Sequence, residues 1–325
     1  MRILVVGGAG YIGSVTVDQL MAADHDVTVI DSLVSGHAGA LNPDCEFVQA
    51  DIRDEQALGR LFASHNFHAV VNYGGYIQAG ESVKQPGRYF ANNVGGTITL
   101  LNAMVTYGVT RFVFSSSAAV YGEPESVPIR EDSPIRPVNP YGESKAIVER
   151  MLPWYEKALG INWVALRYFN AAGATDAKGE DHRPETHLIP IVLDAAAGRR
   201  ENVPLFGTDY PTPDGTCVRD YIHVSDLAVA HLLALAKTET GSGAYNLGTG
   251  TGFSNRQVID SARRVTGREI RVAEEPRRPG DPASLVASNE LAMAELGWHI
   301  EFPELDEIVA SAWRWRQAHP DGYPD

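Results

Sequence analysis

Cysteine is scarce. Only Cys45 and Cys217 occur in the 325 residues, far apart and in no metal-ligand spacing. A disulfide framework and a thiolate zinc site are both set aside on that count, and the two thiols read as buried or idle. Basic charge is also in deficit: 27 Lys and Arg face 41 Asp and Glu, a formal net charge of −14. Such a chain repels a phosphate backbone, so nucleic acid is not an expected partner. A small anionic nucleotide is still accommodated, because helix N-termini and local N–H donors act at contact distance. No apolar run approaches the ~18 residues of a membrane span, and no repeat or low-complexity tract is present. No basic, apolar leader precedes the first apolar run, Ile3–Val6, so the expectation is a cytoplasmic protein without a signal peptide or membrane contact.

What is present is a globular composition, 44% hydrophobic, enough to bury one large core or two joined ones. Short β-branched runs alternate with helical stretches over the first 115 residues. Strands are expected at Ile3–Val6, Val27–Ile30, Phe47–Gln49, Ala69–Val71 and Arg111–Ser115, with helices at Tyr11–Ala22 and Glu55–Ser64 and a long helical region ending at Tyr107. A helix at Tyr141–Gly160 and a strand at Trp163–Tyr168 continue the rhythm. This is the pattern of a doubly wound parallel sheet, an α/β fold with right-handed crossovers. Residues 171–186 and 199–219, rich in Gly, Pro, Asp and Thr, suit loops that close over a ligand more than sheet elements. Helices at Asn255–Thr266 and Leu305–Gln317 suggest a smaller mixed α/β lobe. The expected division is 1–169 plus about 218–247 for a dinucleotide-binding Rossmann domain, with 170–217 and 248–325 forming a substrate-binding lobe.

The first strand runs into Gly7-Gly8-Ala9-Gly10-Tyr11-Ile12-Gly13 and then a helix. Glycine serves there for a tight turn, for close backbone approach to a pyrophosphate and for helix-on-strand packing. The helix N-terminus offers free N–H groups to the phosphates. The second strand ends at Asp31, whose carboxylate can accept both ribose hydroxyls and would repel a 2′-phosphate, so NAD is favoured over NADP. Asp51, after the third strand, is placed to meet the adenine.

Tyr141 and Lys145 stand four residues apart on one helical face. A tyrosine of ordinary pKa, about 10, is a poor base at neutral pH, and a lysine ammonium with a cationic nicotinamide would favour the phenolate. Ser117 follows the apolar strand Phe112-Val113-Phe114, at a strand carboxyl end where ligands lie in such sheets. Its hydroxyl can share a substrate hydroxyl with Tyr141.

Taken together, these elements resemble the extended short-chain dehydrogenase/reductase family, and within it the UDP-hexose 4-epimerases. The resemblance spans essentially the whole chain. It is carried by Gly80-Glu-Ser-Val, Phe114-Ser-Ser-Ser-Ala-Ala-Val-Tyr-Gly122, Leu166-Arg-Tyr-Phe-Asn-Ala-Ala-Gly173, Phe206-Gly-Thr-Asp-Tyr-Pro-Thr-Pro-Asp-Gly215, Val218-Arg-Asp-Tyr-Ile-His-Val224 and Arg277-Arg-Pro-Gly-Asp-Pro-Ala283. The closing His319-Pro-Asp-Gly-Tyr-Pro324 adds to it. It implies that Ser117, Tyr141 and Lys145 fall on the catalytic positions. It implies that NAD is held by Gly7, Gly10, Tyr11, Ile12, Gly13, Asp31, Ser32, Leu33, Ser35, Gly36, Asp51, Ile52, Tyr73, Gly74, Gly75, Asn92, Tyr141, Lys145 and Phe169. The UDP-sugar would meet Ser117, Tyr141, Asn170, His187, Leu188, Phe206, Arg219, Tyr221, Arg278, Asp281 and Ser284. Arginines can fork onto a diphosphate and an aspartate can take ribose hydroxyls.

The implied activity is reversible C4 epimerisation through a transient 4-keto sugar, with NAD as a bound prosthetic group and a homodimer as the assembly. Ser284 stands where a bulky tyrosine goes with plain hexoses and a small residue with N-acetylated ones, so UDP-GlcNAc and UDP-GalNAc are expected substrates too. Three departures stand out. Asn72-Tyr73-Gly74 replaces His-Phe-Ala beside the cofactor, Ile77 stands where some members carry lysine, and Thr186-His187 replaces an amide pair. The segment Glu180–His187 could suggest a metal, but a loop flanking the substrate explains it and no metal is expected. A nucleotide-sugar dehydratase would need an acid–base pair after the serine, where Ala118-Ala119 stand. A UDP-pentose or UDP-uronate 4-epimerase is a nearer alternative, and a silent NAD-binding regulator a more distant one.

Overall fold

The computed structural model describes residues 1–278 and 280–324. Short, near-continuous apolar runs on six strands dictate the architecture. These are β1 (Arg2–Val6), β2 (Asp26–Asp31), β3 (Glu46–Gln49), β4 (Ala69–Asn72), β5 (Arg111–Ser115) and β6 (Asn162–Tyr168). With Gly243–Leu247 at one edge they form a seven-stranded sheet. From that edge the order runs Gly243–Leu247, β6, β5, β4, β1, β2, β3, and every pair is parallel. The order reverses between β1 and β4, where Val6 lies opposite both Ile30 and Asn72. A crevice opens at such a switch point, beyond the strand carboxyl ends.

Both sheet faces are buried, as parallel sheets require. One face carries Ile3, Val5, Val29, Val71 and Val164 against Val17 and Leu20 of the helix Tyr11–Ala22 and Leu227 and Leu235 of the helix Val224–Lys237. The other carries Leu4, Val6, Ile30, Val70 and Phe112 against Leu58 and Phe62, Leu100 and Met104, and Val148 and Leu152 from three further helices. The helix Pro140–Leu159 starts under an Asn139 cap, whose side chain accepts from the Gly142 N–H, with Pro140 in its first turn. It ends at Gly160 in the left-handed conformation. The long helical region expected up to Tyr107 is broken in the structure. Short helices at Ala79–Lys84 and Pro86–Tyr89 lead into a π-helical stretch at Phe90–Gly96 and then Thr97–Thr106. The wider π turn carries Asn92 and Asn93, both buried.

A third cluster, built from Ile189, Val192, Leu193, Leu205, Val258, Ile259, Ile308 and Val309, is the core of the smaller lobe. Its sheets are short: Asn170–Ala172 pairs with Tyr221–His223, Val203–Phe206 with Val272–Glu275, and Val218–Arg219 with both Phe253–Ser254 and Ser284–Leu285. Three of these strands, Asn170–Ala172, Val203–Phe206 and Val218–Arg219, correct the expectation of loops over 171–186 and 199–219. Asn170–Ala172 extends β6 past a one-residue break, and Val203–Phe206 alternates buried and half-buried side chains in a Pro- and Gly-rich context. Trp298, fully buried, returns from the late chain to the sheet core and donates its indole N–H to the Asp226 carbonyl. Among the described residues no helix is long and apolar enough to cross a membrane.

Candidate active site

Two clefts meet at the carboxyl ends of the sheet. The larger, about 1480 Å³ and open to solvent, is lined by the glycine turn, the end of β2, Gly74, Asn92, Ser117, Tyr141 and Phe169. The glycine turn is there because side chains will not fit. Gly7 has φ +78°, and a Cβ on it would lie 2.9 Å from the Gly74 nitrogen. A Cβ on Gly13 would collide with the Gly7 carbonyl oxygen. Asp31 accepts from the backbone N–H of Ala9 at 3.0 Å and of Leu33 at 2.9 Å. Burial raises its carboxyl pKa, and those N–H donors oppose the rise. The turn, the helix start and the buried carboxylate form a cradle of the shape and charge that NAD requires. Asp51 also lines this cleft, but its two oxygens are already held by the Arg53 guanidinium at 2.8 and 2.6 Å.

All the residues expected to meet the dinucleotide line this cleft except two. Leu33 contributes only its backbone N–H, to Asp31. Lys145 lies behind the wall, with Nζ donating to the Ser115 carbonyl oxygen at 2.7 Å and sitting 5.0 Å from the Phe114 ring centre. Burial lowers its pKa to about 8, against the pull of Glu149. Tyr141 shares the cleft with Ser117. Burial raises the Tyr141 pKa, and the Ser117 hydroxyl works the other way. Of the influences around this phenol, burial and the Ser117 hydroxyl set the direction of its shift; the Lys145 ammonium is not among its causes. Lys145 is itself buried and spends a proton on a backbone carbonyl, so its first effect is to fix the strand end.

The π-helical turn supports the floor. Asn93 donates to the Tyr76 carbonyl and the Ser144 hydroxyl, both at 3.0 Å, and accepts the Tyr76 N–H at 2.8 Å. Behind the serine strand, Arg167 pairs with Glu149 at 2.6 Å, and Glu149 also accepts from the Ser116 hydroxyl. In the departure Asn72-Tyr73-Gly74, the Asn72 side chain accepts the Gly74 N–H at 2.9 Å. The Tyr73 phenol donates to the Thr16 hydroxyl at 2.7 Å, and its ring tilts against His231.

The second cleft, about 850 Å³, continues from the first through Asn170, Ala171, Glu180 and His187. Its wall includes Leu188, Phe206, Arg219, Tyr221, Arg278 and Asp281. Asn170 is held by its own side-chain N–H on the Asp220 carbonyl at 2.7 Å. The Arg278 guanidinium lies 3.9 Å from the Phe206 ring centre, and Arg219 is ion-paired with Asp281. Of the expected sugar-nucleotide residues, Ser284 lines neither cleft; it is half-buried in the short strand beside Val218. His187 is held between Glu180 at 2.8 Å and Glu185 at 2.9 Å. Burial disfavours its charge, but the Glu180 and Glu185 carboxylates outweigh that and push its pKa up to about 10. The segment expected to be a plain substrate-flanking loop thus closes four of its side chains on one another.

Sequence reasoning missed Asn93, Tyr76, Tyr168 and the Glu149–Arg167 pair. Paired asparagines inside an apolar helical region and a charged residue inside the β6 run were the available signals.

Residues 3–248 match the NAD dependent epimerase/dehydratase family. A UDP-glucose 4-epimerase of Halalkalibacterium halodurans is 52% identical over 327 residues, covering 99% of this chain and 98% of the relative. The crystal structure of a UDP-glucose 4-epimerase from Brucella ovis in complex with NAD superposes with a TM-score of 0.93 at 46% identity, covering 96% of this chain and 97% of that one. A UDP-glucose 4-epimerase from Bifidobacterium longum, solved with NAD+ and UDP, gives a TM-score of 0.93 at 37% identity over 99% of this chain and 100% of that one. Matched over most of its length by the family and over nearly all of it by these relatives in sequence and in fold, this chain belongs to the NAD dependent epimerase/dehydratase family, among the UDP-glucose 4-epimerases.

Proposed function

We propose that this chain inverts C4 of UDP-hexoses, converting UDP-glucose and UDP-galactose into each other with NAD in the larger cleft. The observation that carries this reading is the junction at Asn170 and Ala171. There a cleft holding Ser117 and Tyr141 runs into one walled by Phe206, Arg219 and Arg278. NAD, when bound, supplies a hydride acceptor that returns the same hydride, so the net reaction is redox-neutral. With the Lys145 ammonium and the positive ring of bound NAD offsetting burial and favouring its ionised form, the Tyr141 phenolate would take the proton of the sugar 4-hydroxyl, with Ser117 Oγ as the bridge, and give it back once the 4-keto ring has turned. Lys145 holds the end of the serine strand and thereby the Tyr141–Ser117 distance. Arg219 and Arg278 anchor the diphosphate about which the ring turns, with Arg219 exchanging Asp281 for phosphate oxygens.

Residues 1–169 with about 218–247 are assigned to NAD, and 170–217 with 248–325 to the UDP-sugar. The separate apolar cores support this division in part: Ala292, Leu296 and Trp298 pack on the first of them, and Tyr221 on the core of the smaller lobe. A cytoplasmic homodimer is part of the same reading. Its paired faces would be the helical region 82–107 and the helix Pro140–Leu159, on which Val83 and Trp154 are 63% and 69% exposed. Tolerance of UDP-GlcNAc and UDP-GalNAc is the finer proposal, resting on the small Ser284. The decisive experiment incubates the purified chain with UDP-galactose, without added NAD, and follows products by NMR. UDP-glucose should accumulate to an equilibrium mixture, and an unchanged substrate spectrum from chain that carries NAD would reject the reading.

A further inference from the structure

We infer that Glu180, His182, Glu185 and His187 form a binding site for a divalent transition-metal ion, Zn²⁺ by its donor set. One ligand atom from each side chain lies within 4.8 Å of all the others. His182 Nδ1 is 3.1 Å from Glu180 Oε1 and 3.8 Å from Glu185 Oε2. His187 Nδ1 is 2.8 Å from Glu180 Oε1 and 2.9 Å from Glu185 Oε1. Tetrahedral zinc with bonds of about 2.0–2.1 Å sets its ligand atoms about 3.3 Å apart, which these separations straddle. His187, an imidazolium in the ion-free protein, would release its proton as the ion enters; two carboxylates and two neutral imidazoles then cancel the charge of the dication.

A network of hydrogen bonds alone accounts poorly for the same atoms. Glu185 Oε1 receives three N–H groups, the backbone N–H of Thr186 at 2.6 Å and of His187 at 2.7 Å and the His187 ring at 2.9 Å. Its other oxygen, Oε2, is buried and has no hydrogen-bond partner among the described residues. Buried carboxylate oxygens without donors are uncommon and costly. The backbone bonds to Oε1 fix the carboxylate with Oε2 turned toward His182, as a first ligand would stand. The spacing of the ligands also fits. All four come from an eight-residue loop closed by the helix Leu188–Ala196, so a single ion would rigidify it.

With all four positions filled by protein, the site is closed and structural, and it offers no open position to substrate. Its place gives it a task. Glu180, His182 and His187 line the dinucleotide cleft, while Glu180 and His187 also line the second cleft. An ion here would pin the wall common to both and hold Leu188 against the second cleft. This inference does not depend on which sugar is turned over.

The test uses the full chain, stripped with a chelator and desalted, then titrated with ZnCl₂ by calorimetry, with bound metal counted by mass spectrometry. Native chain should take up a single saturable equivalent and unfold at a higher temperature with Zn²⁺ than without. Co²⁺ in its place should give the intense visible bands of a tetrahedral ion. The double variant His182→Gln with Glu185→Gln should lose the saturable uptake while circular dichroism and NAD content report its fold. Equal uptake by native chain and folded variant overturns the inference. So does a native chain with no saturable uptake, or a cobalt spectrum of the weak six-coordinate kind. These last two readings need no variant, and neither measures epimerase turnover.

Discussion

Lys145 Nζ donates to the Ser115 carbonyl oxygen at 2.7 Å, tying the helix that carries Tyr141 to the strand end that carries Ser117. The two groups proposed to move the proton thus share one anchor, and their roles can be separated by substitution. Tyr141→Phe removes the phenolic oxygen and leaves the anchor in place. Turnover of UDP-galactose should fall by roughly 10²–10⁴-fold, the usual worth of a positioned acid–base group. NAD released from denatured protein should remain at the native ratio. Lys145→Met should lower turnover as well but should also lower retained NAD, because the strand end loses its tether. Unchanged turnover in Tyr141→Phe would remove that residue from the reaction.

Glu149 and Arg167 form a buried pair, with side chains 5% and 7% exposed and a closest approach of 2.6 Å. Arg167 also donates to the Tyr121 hydroxyl and the Glu131 carbonyl. Truncating one partner leaves the other charge without compensation, a loss of roughly 3–5 kcal/mol. Arg167→Leu should therefore shift the urea midpoint strongly downward, and the double variant Glu149→Leu with Arg167→Leu should recover part of the loss. A double-mutant cycle measures that recovery directly. Equal, additive losses would mean that the pair contributes as two separate side chains.

The main sheet was legible because most of its strands are short, near-continuous apolar runs that only a sheet covered on both faces can bury. The glycine turn was legible because its residues are close in sequence and each meets a steric demand. What stayed hidden has a common physical form. Arg219 and Asp281 are 62 positions apart and meet only once the short strands at Val218 and Ser284 are paired. Two- and three-residue strands are too brief to show any period. The π turn at Phe90–Gly96 carries two asparagines and two glycines, poor helix formers, but that composition marks a weak point in a helix and does not specify a π turn. In Glu180–His187 the residue types were visible in the sequence, but their convergence depends on a loop conformation that composition does not specify.

Two histidines tie stability to pH. His231 is fully buried between Tyr73 and Tyr168 and touches the Leu227 carbonyl at 2.8 Å, while its Nε2 has no partner. Burial lowers its pKa to about 4. His223, stacked on Phe302, is also lowered to about 4 by burial. The unfolded chain binds a proton at each site near pH 6.5, whereas the folded chain holds both neutral down to about 4. Stability is therefore fully present above about 6.5 and falls as pH drops toward 4, at roughly 1.4 kcal/mol per unit for each site. Below pH 6.5, where the raised pKa of His187 no longer adds a slope, urea midpoints measured from pH 6.5 to 5 should decline, and His231→Phe should decline less steeply. A parallel decline in native chain and variant would exclude His231 as a source.

Ser284 poses the sharpest question about sugar range, because it lies outside both cleft linings yet pairs in register with Val218, next to Arg219. Any effect on the N-acetyl group must then come from side-chain volume reaching past the short strand into the cavity beside Arg219. Serine leaves that volume free, and tyrosine would fill it. If the position gates the sugar, Ser284→Tyr should lower kcat/KM for UDP-GalNAc at least tenfold, about 1.4 kcal/mol of lost transition-state binding, and leave kcat/KM for UDP-galactose within a factor of about three. If both sugars lose equally, the substitution acts by disturbing the strand beside Arg219 and its pair with Asp281. If neither changes, the side chain never reaches the sugar, and the acceptance of N-acetylated substrates must be set by residues that do line the cleft, with Leu188 and Tyr221 the first to replace.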